Sequence, residues 1–424
     1  MSEPAYPPVR DALTSGSQEG LPEARAPEEP GSGLAPRHGR GPQGRSIEEL
    51  LPLELLMPVL LEFISVQPSL LRSDGCPILG WCDESRAKAP WVLAAVCSRW
   101  RKVALRTASW WTYIGLRKQL LMDSAGPSRA VRYVKDMASR SAAMPLDVTI
   151  AWEGIFWHQK FHDPILSALA DTANRWNRFS IGIPPSNWAP PIMVWGGCSQ
   201  LFYVLATRCM KNVKILEVDL YLTLQVIWDF LTYSPLLESL SLDLRHDTER
   251  WAGMPGRLDL PRLKSLALYN RAAEGLVVLP NHFSFPALET IRSSFSSIEA
   301  LAVVARATRV VTALRLDVNT SLSASDAQRL AILGKLQKLE IHHVGAPMGA
   351  GFFDGVAPDA WPALEEVHIF GVDLQNDEAD AVLRFVRARV EAPPVGERRL
   401  RAMVFADCAN VAALQAQVDA FLRQ

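Results

Sequence analysis

Two histidines four residues apart are the first pattern in this chain that could carry chemistry. His158 and His162 would share one face of a helix, an arrangement that can hold zinc. The glutamate that would follow the first histidine as a general base is missing, because Gln159 stands there. Pro164 then marks a loop or a helix start. The pair reads as surface or packing residues; a rival reading is an enzyme with a site in residues 120–212, where Trp157, His158, His162 and Asp163 cluster. His342 and His343 are consecutive, so on a strand they point to opposite faces and share no metal. Asp377, Glu378 and Asp380 suit the positive end of a helix dipole. No G-x-S-x-G, no Walker-type loop and no strand-borne G-x-G-x-x-G occurs. Gly31-Ser32-Gly33 sits in a stretch with almost no large apolar side chains. No catalytic set, metal site or cofactor follows, and the chain is expected not to be an enzyme.

The elements that would position any site come next. The 424 residues allow two or three domains. Lys and Arg total 44 against 45 Asp and Glu, a net charge of -1, so the basic excess of nucleic-acid or membrane-surface binders is lacking. Six scattered cysteines (Cys76, Cys82, Cys97, Cys198, Cys209 and Cys408) form no C-x-x-C pair and read as reduced thiols. The most apolar stretch, Leu50 to Val66, contains Glu54, Glu62, Pro52 and Pro58, too short and interrupted to span a bilayer. With no signal-peptide pattern at the N-terminus, a cytoplasmic or nuclear protein is expected.

Residues 1–45 are rich in Pro, Gly, Ser, Glu and Arg and are expected to be disordered. Ser46 to Glu49 forms a capping-box pattern that predicts a helix start. A helical module is expected over 46–116, with Pro58 kinking its first helix, a loop insertion over 67–90 and one helix from Pro90 carrying the stripe Leu93, Val96, Trp100 and Val103. Residues 117–212 read as a linker with degenerate leading repeats. There PLDVTI and RFSIGI look like strands, and Asp163–Arg178 looks like a helix.

From 213 to 424 the chain repeats. Leu-x-x-Leu-x-Leu, with other apolar residues allowed, starts at Val213, Leu237, Leu263, Leu288, Val311, Leu336, Leu364 and Leu400, at intervals of 24, 26, 25, 23, 25, 28 and 36 residues. Six of the seven intervals fit leucine-rich repeats of ~20–29 residues. Ser293 breaks the sixth apolar position, and the Asn/Cys position appears only at Asn319 and Cys408. Amphipathic stretches at Leu224–Tyr233, Ser297–Ala307, Ala324–Leu333 and Asp377–Val390 could return the chain on the convex side, and Val411–Arg423 reads as a capping helix. The fold class expected is α/β: a short helical module followed by a solenoid whose curved parallel sheet carries helices on its convex side.

The residues Leu51-Pro52-Leu53-Glu54-Leu55-Leu56, then Val96-Cys97-Ser98-Arg99-Trp100-Arg101-Lys102-Val103-Ala104, then Trp110-Trp111 resemble an F-box in the divergent form common in basidiomycete fungi. The likeness covers about 70 residues, and leucine-rich repeats are the module's usual companion. It implies docking onto the Skp adaptor of a cullin–RING ubiquitin ligase, with the repeats recruiting a protein substrate. Carried over by position, Leu51, Pro52, Leu55, Leu56, Val96, Cys97, Trp100 and Trp111 would face the adaptor. The residues agree on their own terms, because a small module apolar nearly all round cannot bury every face internally. The other reading is a repeat scaffold whose F-box-like segment no longer binds an adaptor.

The x positions of the template point away from the core toward the expected concave face, and the fifth and seventh positions are taken here. They give Glu217, Asp219, Asp243, Tyr269, Arg292, Arg315, Asp317, Glu340, His342, His368 and Phe370. Tyr269, Arg292, Arg315 and Phe370 include residue types favoured at binding hot spots, and they form the expected substrate-binding patch.

Overall fold

In the computed structural model the residues described are 82–117, 126–151, 159–182, 198–219, 224–244, 256–270, 272, 282–294, 310–318, 321–343, 351–357, 360–372, 374, 376–391, 399–409 and 411–423. All belong to one unit of the chain, residues 56–424. The readings for 1–45, the capping box at Ser46, Pro58 and Ser297–Ala307 lie outside them.

Eleven strands form one all-parallel sheet in chain order. They are β1 (Tyr113–Leu116), β2 (Leu146–Ala151), β3 (Trp176–Gly182), β4 (Ile215–Asp219), β5 (Ser239–Leu244), β7 (Ser265–Asn270), β9 (Thr290–Ser294), β10 (Ala313–Val318), β11 (Lys338–His343), β12 (Glu366–Phe370) and β13 (Ala402–Ala406). Two-residue strands β6 (Leu258–Asp259) and β8 (Phe283–Ser284) pair beside it. Each of the eight expected repeat starts feeds one strand, from β4 to β13, and PLDVTI and RFSIGI supply β2 and β3.

One hydrogen-bond unit explains the period. The carbonyl of Lys214 accepts from the backbone N–H groups of both Glu238 and Ser239, and the Glu238 carbonyl accepts from Lys264 and Ser265. The same fork recurs from Lys264 to Glu289 and Thr290, and onward to Arg401 and Ala402. Each repeat is therefore clamped to the next at its second residue, which fixes the register of the strand that follows. The first and fourth template residues are buried in every repeat, and the sixth in all but the last, where Phe405 is half-buried. Ser293 takes its place in that apolar column, buried between the register partners Leu268 and Leu316. At the Asn/Cys position, Cys408 Sγ donates to the carbonyls of Ile369 (3.5 Å) and Ala406 (3.2 Å), tying β13 to β12.

Helices return the chain between strands. Among the described residues they are α3 (Gly126–Arg140), α4 (Gln159–Ala170), α5 (Cys198–Cys209), α6 (Leu224–Thr232), α7 (Ala324–Leu330), α8 (Gly351–Asp354), α9 (Asn376–Glu391) and the closing α10 (Ala412–Leu422). The expected helix over Asp163–Arg178 ends instead at Ala170. Thr172 then accepts from Arg175 through its carbonyl, and Trp176 opens β3. Pro164 lies inside α4 rather than before it.

Among the described residues, two helices precede the sheet: α1 (Glu84–Val96) and α2 (Ser98–Arg106). The sequence predicts one helix starting at Pro90. Asp83 instead caps α1 six residues earlier by accepting from the Arg86 N–H at 2.9 Å. The single stripe is broken at Cys97, whose backbone is extended (φ -156°, ψ 172°) and whose sulfur accepts from the Trp100 N–H at 3.4 Å. Residues 113–116, read as the tail of the helical module, are the first strand of the sheet. Module and solenoid thus share a core: Leu93, Ala104, Trp110 and Trp111 are buried in one cluster with β1 and β2.

Candidate interaction surfaces

Two surfaces answer to the expected adaptor and substrate residues. The first is the outer side of α1 and α2. Val96 is 48% exposed, and Val92, one turn earlier on α1, and Leu105 on α2 are exposed as well. Alternation with the buried Leu93 and Ala104 separates an outward apolar set from an inward one. Arg101, Lys102 and Arg106 are exposed beside it on α2.

The adaptor-facing expectations fare unevenly. Val96 is open to a partner. Cys97 is half-buried and serves as the cap of α2, and Trp100 is half-buried against the core. Trp111 is 0% exposed: its indole N–H donates to the Ala104 carbonyl at 2.7 Å, and Trp91 meets it edge-on at 4.9 Å. A side chain with no accessible surface touches no adaptor, so Trp111 is a core residue that holds α2 onto the sheet. Leu51, Pro52, Leu55 and Leu56 lie outside the described residues. Val92 and Leu105 were not singled out from the sequence. The i, i+4 spacing of Val92 and Val96 was the available signal.

The second surface is the sheet face that carries the fifth and seventh template positions. Its alternation is as expected: one row runs Glu217, Ser241, Ala267, Arg292, Arg315, Glu340 and His368, and the next Asp219, Asp243, Tyr269, Ser294, Asp317, His342 and Phe370. Ion pairs lace it both between neighbouring strands and within single strands. Arg178 meets Glu217 at 2.6 Å, Arg292 and Arg315 both meet Asp317, and Lys338 meets Glu340 at 2.8 Å. His342 stacks on Phe370 with ring centroids 4.1 Å apart. Facing His342, and bonded to Lys338, the Glu340 carboxyl is held down to about 2. His342 Nε2 sits 3.8 Å from it, an ion-pair rather than a hydrogen-bond separation.

Of the four expected substrate contacts, the structure brings Arg292 and Arg315 together as register partners and leaves both partly exposed. Phe370 is half-buried three strands from Arg292, beside the histidines. Tyr269 is only 2% exposed, which removes it from direct contact. It supports the patch from below instead, with its ring centre 5.4 Å from the Arg292 guanidinium carbon. Asp219, Asp243 and Asp317 are buried too, so this row is not the solvated strip its polarity suggests.

Neither surface has the makings of a metal centre. Among the described residues no group of three His, Cys, Asp or Glu side chains is placed to hold a metal. His158 lies outside them, and His342 and His343 occupy opposite faces of β11 as expected. No described helix is long and apolar enough to cross a membrane. The chain matches no family model and no curated protein.

Proposed function

We propose that this chain is a non-catalytic substrate-recognition subunit of an SCF-type cullin–RING ubiquitin ligase. The F-box-like module would dock the Skp adaptor, and the concave face of the repeats would recruit a protein. The observation that carries this reading is the exposed apolar set Val92, Val96 and Leu105, of which Val96 opens the Val-Cys-Ser-Arg-Trp-Arg segment that carries the resemblance and the other two flank it. Exposed apolar side chains on both helices of a short pair suit a protein interaction site. The repeat sheet supplies the second half: eleven parallel strands at ~4.8 Å spacing give a face roughly 48 Å long. That length accommodates an extended segment of about 14 residues.

A specific observation favours a second reading, in which the module only caps the solenoid. Arg86 on α1 bonds Asp147 of β2 at 2.8 Å, the Asp83 N–H donates to the Tyr113 hydroxyl at 2.9 Å, and Trp110 and Trp111 are sealed inside. A module so joined to β1 protects the first strand whether or not an adaptor binds.

Capture of the purified Skp adaptor by the full chain separates the two, with wild type beside a Val96→Asp, Leu105→Asp double variant. Both positions are exposed, so the variant should keep its far-ultraviolet circular dichroism and unfolding midpoint. Capture by the wild type that the variant loses supports the ligase subunit. A folded wild type that captures nothing leaves a capped repeat scaffold.

A further inference from the structure

Arg292 and Arg315 face each other across β9 and β10 as register partners, which places two guanidinium groups side by side on the concave face. Like charges directly opposed on neighbouring strands repel. One carboxylate holds them: Arg292 Nε donates to Asp317 Oδ2 at 2.7 Å, and Arg315 Nε donates to Oδ1 at 3.0 Å. A guanidinium edge ordinarily meets a carboxylate with two parallel bonds. Here the second oxygen of Asp317 is taken by Arg315, and Arg292 Nη2 is left buried with no hydrogen-bond partner among the described residues.

A charged donor out of water without an acceptor is costly, and it is most simply satisfied by an oxygen from outside the chain. The trio carries one positive charge in excess. The neighbouring Glu340 is shared with Lys338, and Tyr269 packs against Arg292 without charge. Asp317 is 3% exposed and fixed in place, whereas the Arg292 and Arg315 side chains keep 23% and 28% of their surface.

We infer that the concave face at β9 and β10 is an oxyanion site, taking a phosphate monoester or a carboxylate between Arg292 and Arg315. This deepens the receptor reading by naming its substrate class, an acidic or phosphorylated protein segment. It rests on that reading only for the ligand being a protein.

The test uses the full chain at constant ionic strength, titrated with O-phosphoserine, glutarate and chloride while the thermal unfolding midpoint is followed. A saturable rise with either oxyanion and none with chloride is expected. Arg292→Gln and Arg315→Gln should each weaken it by about tenfold or more. Arg257→Gln, on an exposed arginine paired with Asp259, should leave it unchanged. Because Arg292→Gln alters a strained trio, Arg292→Lys serves as a second variant, keeping the charge and losing the fork. A preference for phosphoserine assigns a phosphorylated segment, and a preference for glutarate an acidic one. The site is overturned if no oxyanion acts saturably, or if the three glutamine variants respond alike. Such a failure beside intact adaptor capture removes this site and leaves the receptor reading standing.

Discussion

Arg140 at the end of α3 lies over Trp111, its guanidinium carbon 4.4 Å from the ring centroid, and reaches Trp91 at 4.1 Å as well. One cation thus bridges the α1 helix, the turn before β1 and helix α3. The indole of Trp111 is the centre of that joint, since its N–H also fixes the end of α2 through Ala104. Removing it should behave as loss of a core aromatic. Trp111→Ala is expected to cost about 3–5 kcal/mol in urea unfolding, whereas Val96→Asp, on the exposed side of α1, should shift stability by less than about 0.5 kcal/mol. If the two variants were equally stable, Trp111 would not be the joint between module and sheet.

Gly115 and Gly355 both lack room for a side chain, but for different reasons. A Cβ at Gly115 would overlap the Cys82 sulfur, a movable side-chain atom that burial holds protonated, with its thiol pushed up to about 12. A Cβ at Gly355 would lie 2.6 Å from the Ala324 carbonyl oxygen, which is backbone. Each Gly→Ala change should destabilise by about 1–3 kcal/mol. Cys82→Ala should restore most of the loss at Gly115, and no neighbouring side-chain change should restore Gly355. Chemical denaturation of the single and double variants checks both.

Glu340 supplies an acid-sensitive contribution. Its carboxyl is near 4.3 in an unfolded chain and about 2 in the fold, where His342 and Lys338 favour the charged form. A depressed carboxyl stabilises fully above its unfolded value, and the contribution fades as pH falls through the folded one. The difference in unfolding free energy between wild type and Glu340→Gln should therefore be largest at pH 6 and close toward pH 2. A gap that stayed constant with pH would mean the ion pairs around Glu340 do not set its charge.

How far the sequence foretold this arrangement depends on the range of the signal. The repeat leucines were legible because each strand reuses one six-residue template, and period-2 alternation placed Arg292, Arg315, Asp317 and Phe370 on one face. That Asp317 would bind both arginines needs the register between β9 and β10, which the repeat spacing also implies. Burial of Tyr269, Asp219 and Asp243 was not legible, because alternation tells which face a residue takes and not what lies over it. The strand Tyr113–Leu116 escaped notice because Tyr-Ile-Gly-Leu is too short for the template. The break at Cys97 escaped because Ala94, Ala95 and Val96 continue a helical pattern without interruption, and only a cysteine capping a backbone N–H ends it. Asp83 ahead of Glu84 was a usable cap signal, outweighed by reading Pro90 as the first turn.

Ser293 is the one sixth-position residue in the template that is polar, and it lies buried between Leu268 and Leu316. Among the described residues its hydroxyl reaches only the Ser294 carbonyl, at 3.4 Å, a weak bond for a group removed from water. Ser293→Ala removes the polar atom without adding volume, and should raise stability by about 0.5–1 kcal/mol. Ser293→Asp places a charge in the same column and should unfold the repeat array around β9. Urea midpoints of the two variants decide the matter. A Ser293→Ala chain less stable than wild type would show that the hydroxyl serves the fold, and that the degenerate repeat is built around it rather than tolerating it.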